Sequence, residues 1–104
     1  MKETYLSRDF RETAAQRFSS QAKELNAFFD ARLNALLAEN ADASKEKQYH
    51  LKRQILPGIA AYEILQRVMP KEEALQTVHG YVERLARTSH KQLAALLHLS
   101  LIHI

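Results

Sequence analysis

The sequence contains no cysteine, and it has only two glycines and two prolines in 104 residues. The absence of cysteine excludes disulfide bonds, thiolate zinc sites and a cysteine nucleophile. The scarcity of glycine and proline argues against a multi-strand sheet, which needs turn residues at short intervals. Because the two glycines are Gly58 and Gly80, a glycine-rich phosphate-binding loop is also excluded.

Long hydrophobic runs and a strong charge bias are missing as well. The longest nearly apolar stretch, Leu93–Ile104, falls well short of the roughly 20 residues that span a bilayer. The N-terminus lacks the apolar core of a signal peptide. The net charge of +3 and the pI near 9.3 are too mildly basic to indicate a nucleic-acid partner, and we interpret the basic stretch Lys45–Arg53 as a solvated helix face. We therefore expect a soluble, cytoplasmic protein without a membrane partner.

Helical spacing of apolar residues begins near the N-terminus. From Ser7 to Glu39 there is no glycine or proline, and the apolar side chains recur in steps of three and four within an arc of roughly 140°. Ser7 is suited to act as the N-cap. The pattern predicts one long helix over Ser7–Glu39. The residues of its apolar stripe are Phe10, Ala14, Phe18, Ala22, Leu25, Phe29, Leu33 and Leu36.

The next predicted helix is apolar on nearly all sides. It follows the turn-forming stretch Asn40–Ser44, in which Asp42 or Ser44 can act as the N-cap. Pro57 lacks an amide hydrogen, so we expect a kink there. The apolar residues keep helical phase across the proline, and this favours one kinked helix over two. A helix that is apolar nearly all round is usually buried, so this is the predicted central helix.

A further helix is predicted to start at Pro70, because proline followed by acidic residues is a helix-start signal. Its apolar stripe continues to about Arg87. Gly80 lies inside this stripe, where it either costs about 1 kcal/mol relative to alanine or marks a close helix crossing. The sequence as a whole predicts an all-α bundle of about four helices, with a long N-terminal helix and a proline-kinked, buried central helix.

The last six residues are predicted to be foreign to the protein. Leu99–Ile104 (LSLIHI) corresponds to the codons CTG TCT CTT ATA CAC ATC, which match a transposon-end adapter used to prepare sequencing libraries. We therefore expect residues 1–98 to be a single helical domain at the N-terminal side of a longer protein, truncated near His98. Residues 99–104 are then an adapter-derived tail. Such a truncation would leave apolar helix faces uncovered, which predicts self-association.

Few residues have a spacing that suggests chemistry. His79 and Glu83 stand four residues apart on one predicted helix face, which is a metal-binding spacing. No third ligand is evident, so no metal site is predicted, and no cofactor is expected. The adjacent acids Glu72 and Glu73 are interpreted as helix-start residues rather than as an acid–base pair.

Arg53 and Tyr62 are the two side chains with polar ends on or near the predicted central helix. If that helix lines a pocket, these two residues are the candidates for substrate binding. The favoured alternative is an arginine that flanks the helix and a tyrosine whose hydroxyl reaches the surface or a backbone partner. No residue is assigned a catalytic role.

Two segments carry a family resemblance. Arg53–Gln66 (RQILPGIAAYEILQ) followed by Pro70–Leu75 (PKEEAL) resembles the N-terminal helical part of the L-2-amino-thiazoline-4-carboxylic acid hydrolase family. Members have an arginine-containing helix that leads into Ile-Leu-Pro, an apolar run with tyrosine, and then an acid-started helix. The resemblance implies C–N hydrolysis of a thiazoline ring toward N-carbamoyl-cysteine, with a small-molecule substrate. It also implies that the full-length protein continues past this chain, which would be inactive alone.

Two other function classes remain open. Residues Ser89–Ser100 (SHKQLAALLHLS) resemble the first helix and turn of a helix-turn-helix, which would make the protein a DNA-binding regulator. However, Leu99 and Ser100 belong to the suspected adapter, and His98 stands where glycine is usual. The third class is a helical interaction module without chemistry. A regulator predicts salt-dependent DNA binding, a hydrolase predicts turnover by the full-length protein only, and a module predicts a partner but neither activity.

Overall fold

The computed structural model describes residues 5–86, and this range is helical with no strand. A π-helical segment, Leu51–Ile55, joins α3 to α4 without a break, so the described range has four continuous helical runs. The predicted all-α bundle of about four helices is therefore confirmed. The predicted tail, residues 99–104, lies outside the described range. The helices are α1 (Tyr5–Arg17), α2 (Ala22–Glu39), α3 (Lys45–His50), α4 (Leu56–Leu65) and α5 (Lys71–Ala86).

The predicted single helix over Ser7–Glu39 is wrong, because the chain folds back between α1 and α2. The amide of Gln21 donates to the carbonyl of Phe18 (2.7 Å) and closes the turn. The two serines in this turn compete for backbone hydrogen bonds and so favour a break. Phe10 of α1 then stacks on Phe29 of α2, whereas in one straight helix the two would lie about 28 Å apart. Because the chain folds back, the apolar side of α1 and the apolar side of α2 can be buried against each other.

The start signals of the helices are partly as predicted. Ser44 is the N-cap of α3, and its hydroxyl accepts a hydrogen bond from the amide of Lys47 (3.3 Å). Pro70 directly precedes α5, and its carbonyl accepts a hydrogen bond from the amide of Ala74 (2.9 Å). Helix α5 therefore begins at Lys71, one residue later than predicted. Ser7 is a buried residue inside α1 rather than its N-cap.

The helical run from Lys45 to Leu65 continues through Pro57, as predicted for one helix rather than two. The π-helical segment comes immediately before the proline. Its wider turn accommodates a residue that cannot donate an amide hydrogen and whose ring crowds the preceding turn. Eight of the ten residues of α4 are buried, which confirms it as the central helix: Leu56, Pro57, Gly58, Ala60, Ala61, Tyr62, Ile64 and Leu65.

Helix α5 packs against α1 and α4, and polar contacts join it to α1. The hydroxyl of Tyr81 and that of Thr13 are 2.5 Å apart, and the guanidinium of Arg17 donates to the carboxylate of Glu73 (2.6 Å). Apart from its own helix backbone, a Cβ added to Gly80 would meet no atom of the described residues within 4 Å. Of the two alternatives left open for Gly80, the described residues show no close helix crossing, and the cost in helix propensity remains.

The outer surface of residues 5–86 is mostly polar. Among the side chains of this range whose burial the structure describes, Tyr49, at 56% exposure, is the only exposed large hydrophobic one. None of the helices within it combines the length and the apolar character needed to cross a membrane. The described residues show no broad apolar face through which the chain could self-associate. Self-association therefore stays a prediction.

Candidate functional site: the cleft between α2 and α4

A cleft of about 340 Å³ lies between α2 and α4. Small-molecule sites typically have volumes of about 300–1,000 Å³ and combine an apolar lining with a few polar groups. This cleft has both features, and we take it as the candidate functional site. Its lining residues are Phe28, Ala31, Arg32 and Ala35 from α2, and Glu63, Ile64 and Arg67 from α4 and the turn that follows it.

An ion pair joins the two sides of the cleft. The guanidinium of Arg32 donates to both carboxylate oxygens of Glu63, from Nε to Oε2 and from Nη2 to Oε1 (3.2 Å). The hydrogen bond to Glu63 is the main cause that raises the pKa of Arg32; burial opposes it, and the attraction of Glu63 and Glu39 adds to it. Two-pronged contacts of this kind fix the orientation of both groups. The two charges neutralise each other, so this pair contributes no net charge to the cleft.

A second arginine lies at the edge of the cleft. The Cζ atom of Arg67 lies 4.3 Å from the centroid of the Phe28 ring, within the range of a cation–π interaction. Arg67 is exposed and forms no ion pair with any residue of the range 5–86. The cleft therefore has a formal charge of +1, and this charge belongs to Arg67.

The remaining lining of the cleft is apolar. Ala31 and Ala35 lie one turn apart on α2, and Ile64 faces the cleft from α4. The one carboxylate of the lining, that of Glu63, is hydrogen-bonded to Arg32. No residue of the lining is a nucleophile of the serine, threonine, cysteine or lysine type. The arrangement can bind an anion that has an apolar body, but it does not by itself supply acid–base or nucleophilic chemistry.

The two candidates from the sequence, Arg53 and Tyr62, do not line this cleft. Arg53 is exposed and its Cζ lies 5.2 Å from the centroid of the Tyr49 ring. Tyr62 is 1% exposed and is among the largest fully buried side chains. Arg53 is thus a surface arginine on the π-helical segment and Tyr62 is a core residue, so the structure does not bring them together at this site.

The other residues with suggestive spacing also lie apart from the cleft. His79 is half-buried and Glu83 is exposed on α5. Among the side chains that the structure describes, no three or more histidine and acidic residues are grouped so that they could hold a metal ion. Glu73 pairs with Arg17, and Glu72 is exposed. The helix-turn-helix element predicted from Ser89 lies outside the described residues.

Arg32, Glu63 and Arg67 were not among the site residues predicted from the sequence. The sequence did contain a signal for these residues, namely two pairs at the i, i+4 spacing that places side chains on one helix face. The pairs are Phe28 with Arg32 and Glu63 with Arg67. Such pairs are common on solvated helices. The spacing could not show that these two faces lie opposite each other, since that depends on how α2 packs against α4.

The chain was compared with models of known protein families, with curated proteins and with solved structures. None of the three comparisons gives a match.

Proposed function

We propose that this chain is the helical part of a hydrolase similar to the L-2-amino-thiazoline-4-carboxylic acid hydrolases, and that the α2–α4 cleft is part of its small-molecule site. One observation supports this most directly. Arg53–Gln66, the segment that resembles the family, forms the buried central helix and also supplies Glu63 and Ile64 to the cleft. Arg67, which forms no ion pair within residues 5–86, follows this segment directly.

The proposal divides binding from catalysis. The cleft offers a cation and an apolar surface, which can hold and orient a small carboxylate substrate. Hydrolysis of a C–N bond also needs a group that activates water or attacks the ring. In this proposal those groups belong to residues outside the range 5–86. The chain of 104 residues is then expected to fold and bind, but not to turn over substrate.

The test compares this chain with the product of a gene read past codon 98 in the source DNA. Both proteins are incubated with L-2-amino-thiazoline-4-carboxylate, and N-carbamoyl-cysteine is measured by mass spectrometry. We expect product from the longer protein only. Turnover by the 104-residue chain would contradict the division proposed above, and a folded longer protein without turnover would refute the hydrolase. If the source gene instead contains natural codons for Leu99–Ile104 and then a stop, the interaction module becomes the better account.

An interaction module is the second candidate, and it is favoured by the exposed pair Tyr49 and Arg53. Exposed tyrosine and arginine side chains are enriched at the centres of protein interfaces, and here the arginine lies over the tyrosine ring. Sedimentation velocity of the wild type and of Tyr49→Ser over a range of concentrations tests for self-association through this pair. A dimer that the substitution removes would favour the module.

The DNA-binding alternative has its own measurement. Fluorescence anisotropy with a labelled duplex, repeated at rising salt, detects binding through phosphate contacts because such binding weakens steeply with salt. No binding at low salt would exclude a regulator for this chain.

A further inference from the structure

We propose that the α2–α4 cleft binds a small carboxylate with a single negative charge and an apolar body, and that Arg67 is the residue that recognises the charge. The inference builds on the proposed function, because it concerns the same cleft. It differs in that it concerns binding by this chain itself, so it is tested without any turnover.

The charge of the ligand follows from the charges in the cleft. Glu63 neutralises the charge of Arg32 through two hydrogen bonds, so this pair adds no net positive charge that would attract an anion. Arg67 has no carboxylate partner within residues 5–86. One anionic group on the ligand would pair with Arg67, while a second would meet the carboxylate of Glu63 and be repelled. A ligand with one negative charge therefore fits best.

The position of Arg67 makes it a suitable carboxylate receptor. Its guanidinium lies over the Phe28 ring, so the ring restricts its motion and part of the entropy cost of ligand binding is already met. The planar group still has N–H donors along its edge, which match the two oxygens of a carboxylate. A compact ammonium group would not give the same two-pronged contact.

The apolar body of the ligand is indicated by the apolar residues that line the same cleft as Arg67. Ala31 and Ala35 have no atoms beyond Cβ, so they leave room beside α2, and Ile64 lies on the opposite side. A flat ring of five or six atoms placed there would bury apolar surface, which is favourable by about 25 cal/mol per Å². A carboxylate without an apolar body, such as acetate, would lack this contribution.

The experiment uses the chain of 104 residues labelled with ¹⁵N and titrated with benzoate, a flat monoanion. We expect saturable amide shifts at positions that line the cleft, among them Phe28, Ala31, Ala35 and Ile64. Benzamide, which has the same shape without the charge, should bind at least about fivefold more weakly, because it loses the charge-assisted hydrogen bonds. Acetate should also bind at least about fivefold more weakly, because it buries almost no apolar surface.

Arg67→Gln is the deciding variant, and Arg53→Gln is its matched control. Both arginines are exposed and lie over an aromatic ring, but only Arg67 lines the cleft. We expect Arg67→Gln to weaken benzoate binding at least about fivefold and Arg53→Gln to leave it unchanged. Arg67→Lys keeps the charge and should bind with intermediate affinity. It also keeps the test valid if the glutamine variant does not fold.

Several outcomes would overturn the proposal. These are no saturable shift with benzoate, equal affinity for benzamide, binding unaffected by Arg67→Gln, or an equal loss in Arg53→Gln. The failure of the proposed function is distinguishable from all of these. If the longer protein shows no hydrolysis while Arg67-dependent benzoate binding persists, the hydrolase is refuted and the carboxylate site stands.

Discussion

Phe10 and Phe29 stack with their ring centroids 4.3 Å apart and their planes inclined by 14°, although they belong to different helices. Both side chains are fully buried. Next to this contact, Arg11 donates to Asn26 (3.3 Å) and to Asp30 (2.5 Å), and its Cζ lies 5.7 Å from the centroid of Phe29. The contact between α1 and α2 therefore has an aromatic centre and a polar edge, and it holds the fold-back that the sequence pattern did not reveal.

The first prediction concerns this aromatic stack. Phe29→Ala removes a fully buried ring and leaves a cavity between α1 and α2, so we expect it to lower the free energy of unfolding by about 3–5 kcal/mol. Urea denaturation followed by circular dichroism measures the change. A loss below about 1 kcal/mol would mean that the two helices do not depend on this contact.

Tyr49→Ala is the control for the aromatic truncation. Tyr49 is 56% exposed, so the loss of its ring should change the free energy of unfolding by no more than about 0.5 kcal/mol. A comparable loss at both positions would show that the effect does not come from burial.

The apolar stripe illustrates what the sequence could and could not predict. Of the eight residues assigned to one face, five are buried and three are partly buried. The buried residues are Phe10, Ala14, Leu25, Phe29 and Leu36, and the partly buried ones are Phe18, Ala22 and Leu33. Their spacing stays regular through the turn at residues 18–21, so periodicity alone could not reveal the break between α1 and α2. The spacing predicts which side chains are buried, while the turn depends on the gain from burying them against one another.

The cleft could not be predicted in the same way. Arg32 belongs to α2 and Glu63 to α4, and the two residues are 31 positions apart. Their pairing depends on how α2 packs against α4, which no local spacing encodes. Pro57, in contrast, lies within one continuous helical run, and this continuity was predicted from the sequence because the apolar residues keep helical phase across the proline.

A second prediction concerns Gly80. It lies within α5 without a positive φ angle, and, apart from its own helix backbone, a Cβ added there would meet no atom of the described residues within 4 Å. Gly80→Ala should therefore raise the free energy of unfolding by about 0.5–1 kcal/mol, because alanine has the better helix propensity and restricts the unfolded chain. Chemical denaturation of the purified variant measures this.

The reverse substitution at an exposed helical position provides the control. Ala27 is exposed in the middle of α2, so Ala27→Gly should lower the free energy of unfolding by about 1 kcal/mol. If Gly80→Ala lowers the free energy of unfolding while Ala27→Gly gives the expected loss, Gly80 has a packing role after all.

A third prediction concerns the ion pair of Arg32 and Glu63. Both side chains are partly exposed, so solvent screens the pair, and a double-mutant cycle with Arg32→Gln and Glu63→Gln should give a coupling of about 0.5–1 kcal/mol. The coupling should decrease in high salt. A coupling near zero would mean that the pair does not hold the two sides of the cleft together.

The direction of the pKa shift of Arg32 predicts how the contribution of this residue to the free energy of unfolding depends on pH. The pKa of Arg32 is raised in the folded protein, chiefly by its hydrogen bond to Glu63. A raised pKa stabilises the fold at every pH below the unfolded-state value, and this stabilisation is lost only as the pH rises through the folded-state value. Arginine titrates far above neutrality, so its contribution should be constant between about pH 6 and pH 9. Denaturation midpoints of wild type and Arg32→Gln, compared across this range, measure it.

The last prediction concerns the contact that joins α5 to α1. The hydroxyl of Tyr81 lies 2.5 Å from that of Thr13, and the Tyr81 side chain is buried. Tyr81→Phe keeps the ring and removes the hydroxyl, so the expected loss in the free energy of unfolding is about 1 kcal/mol. Thr13→Val removes the other hydroxyl at almost constant volume. If the two hydroxyls interact mainly with each other, the double variant should lose clearly less than the sum of the single variants. Additive losses would instead assign the stabilisation to separate partners, and α5 would then depend on packing rather than on this hydrogen bond.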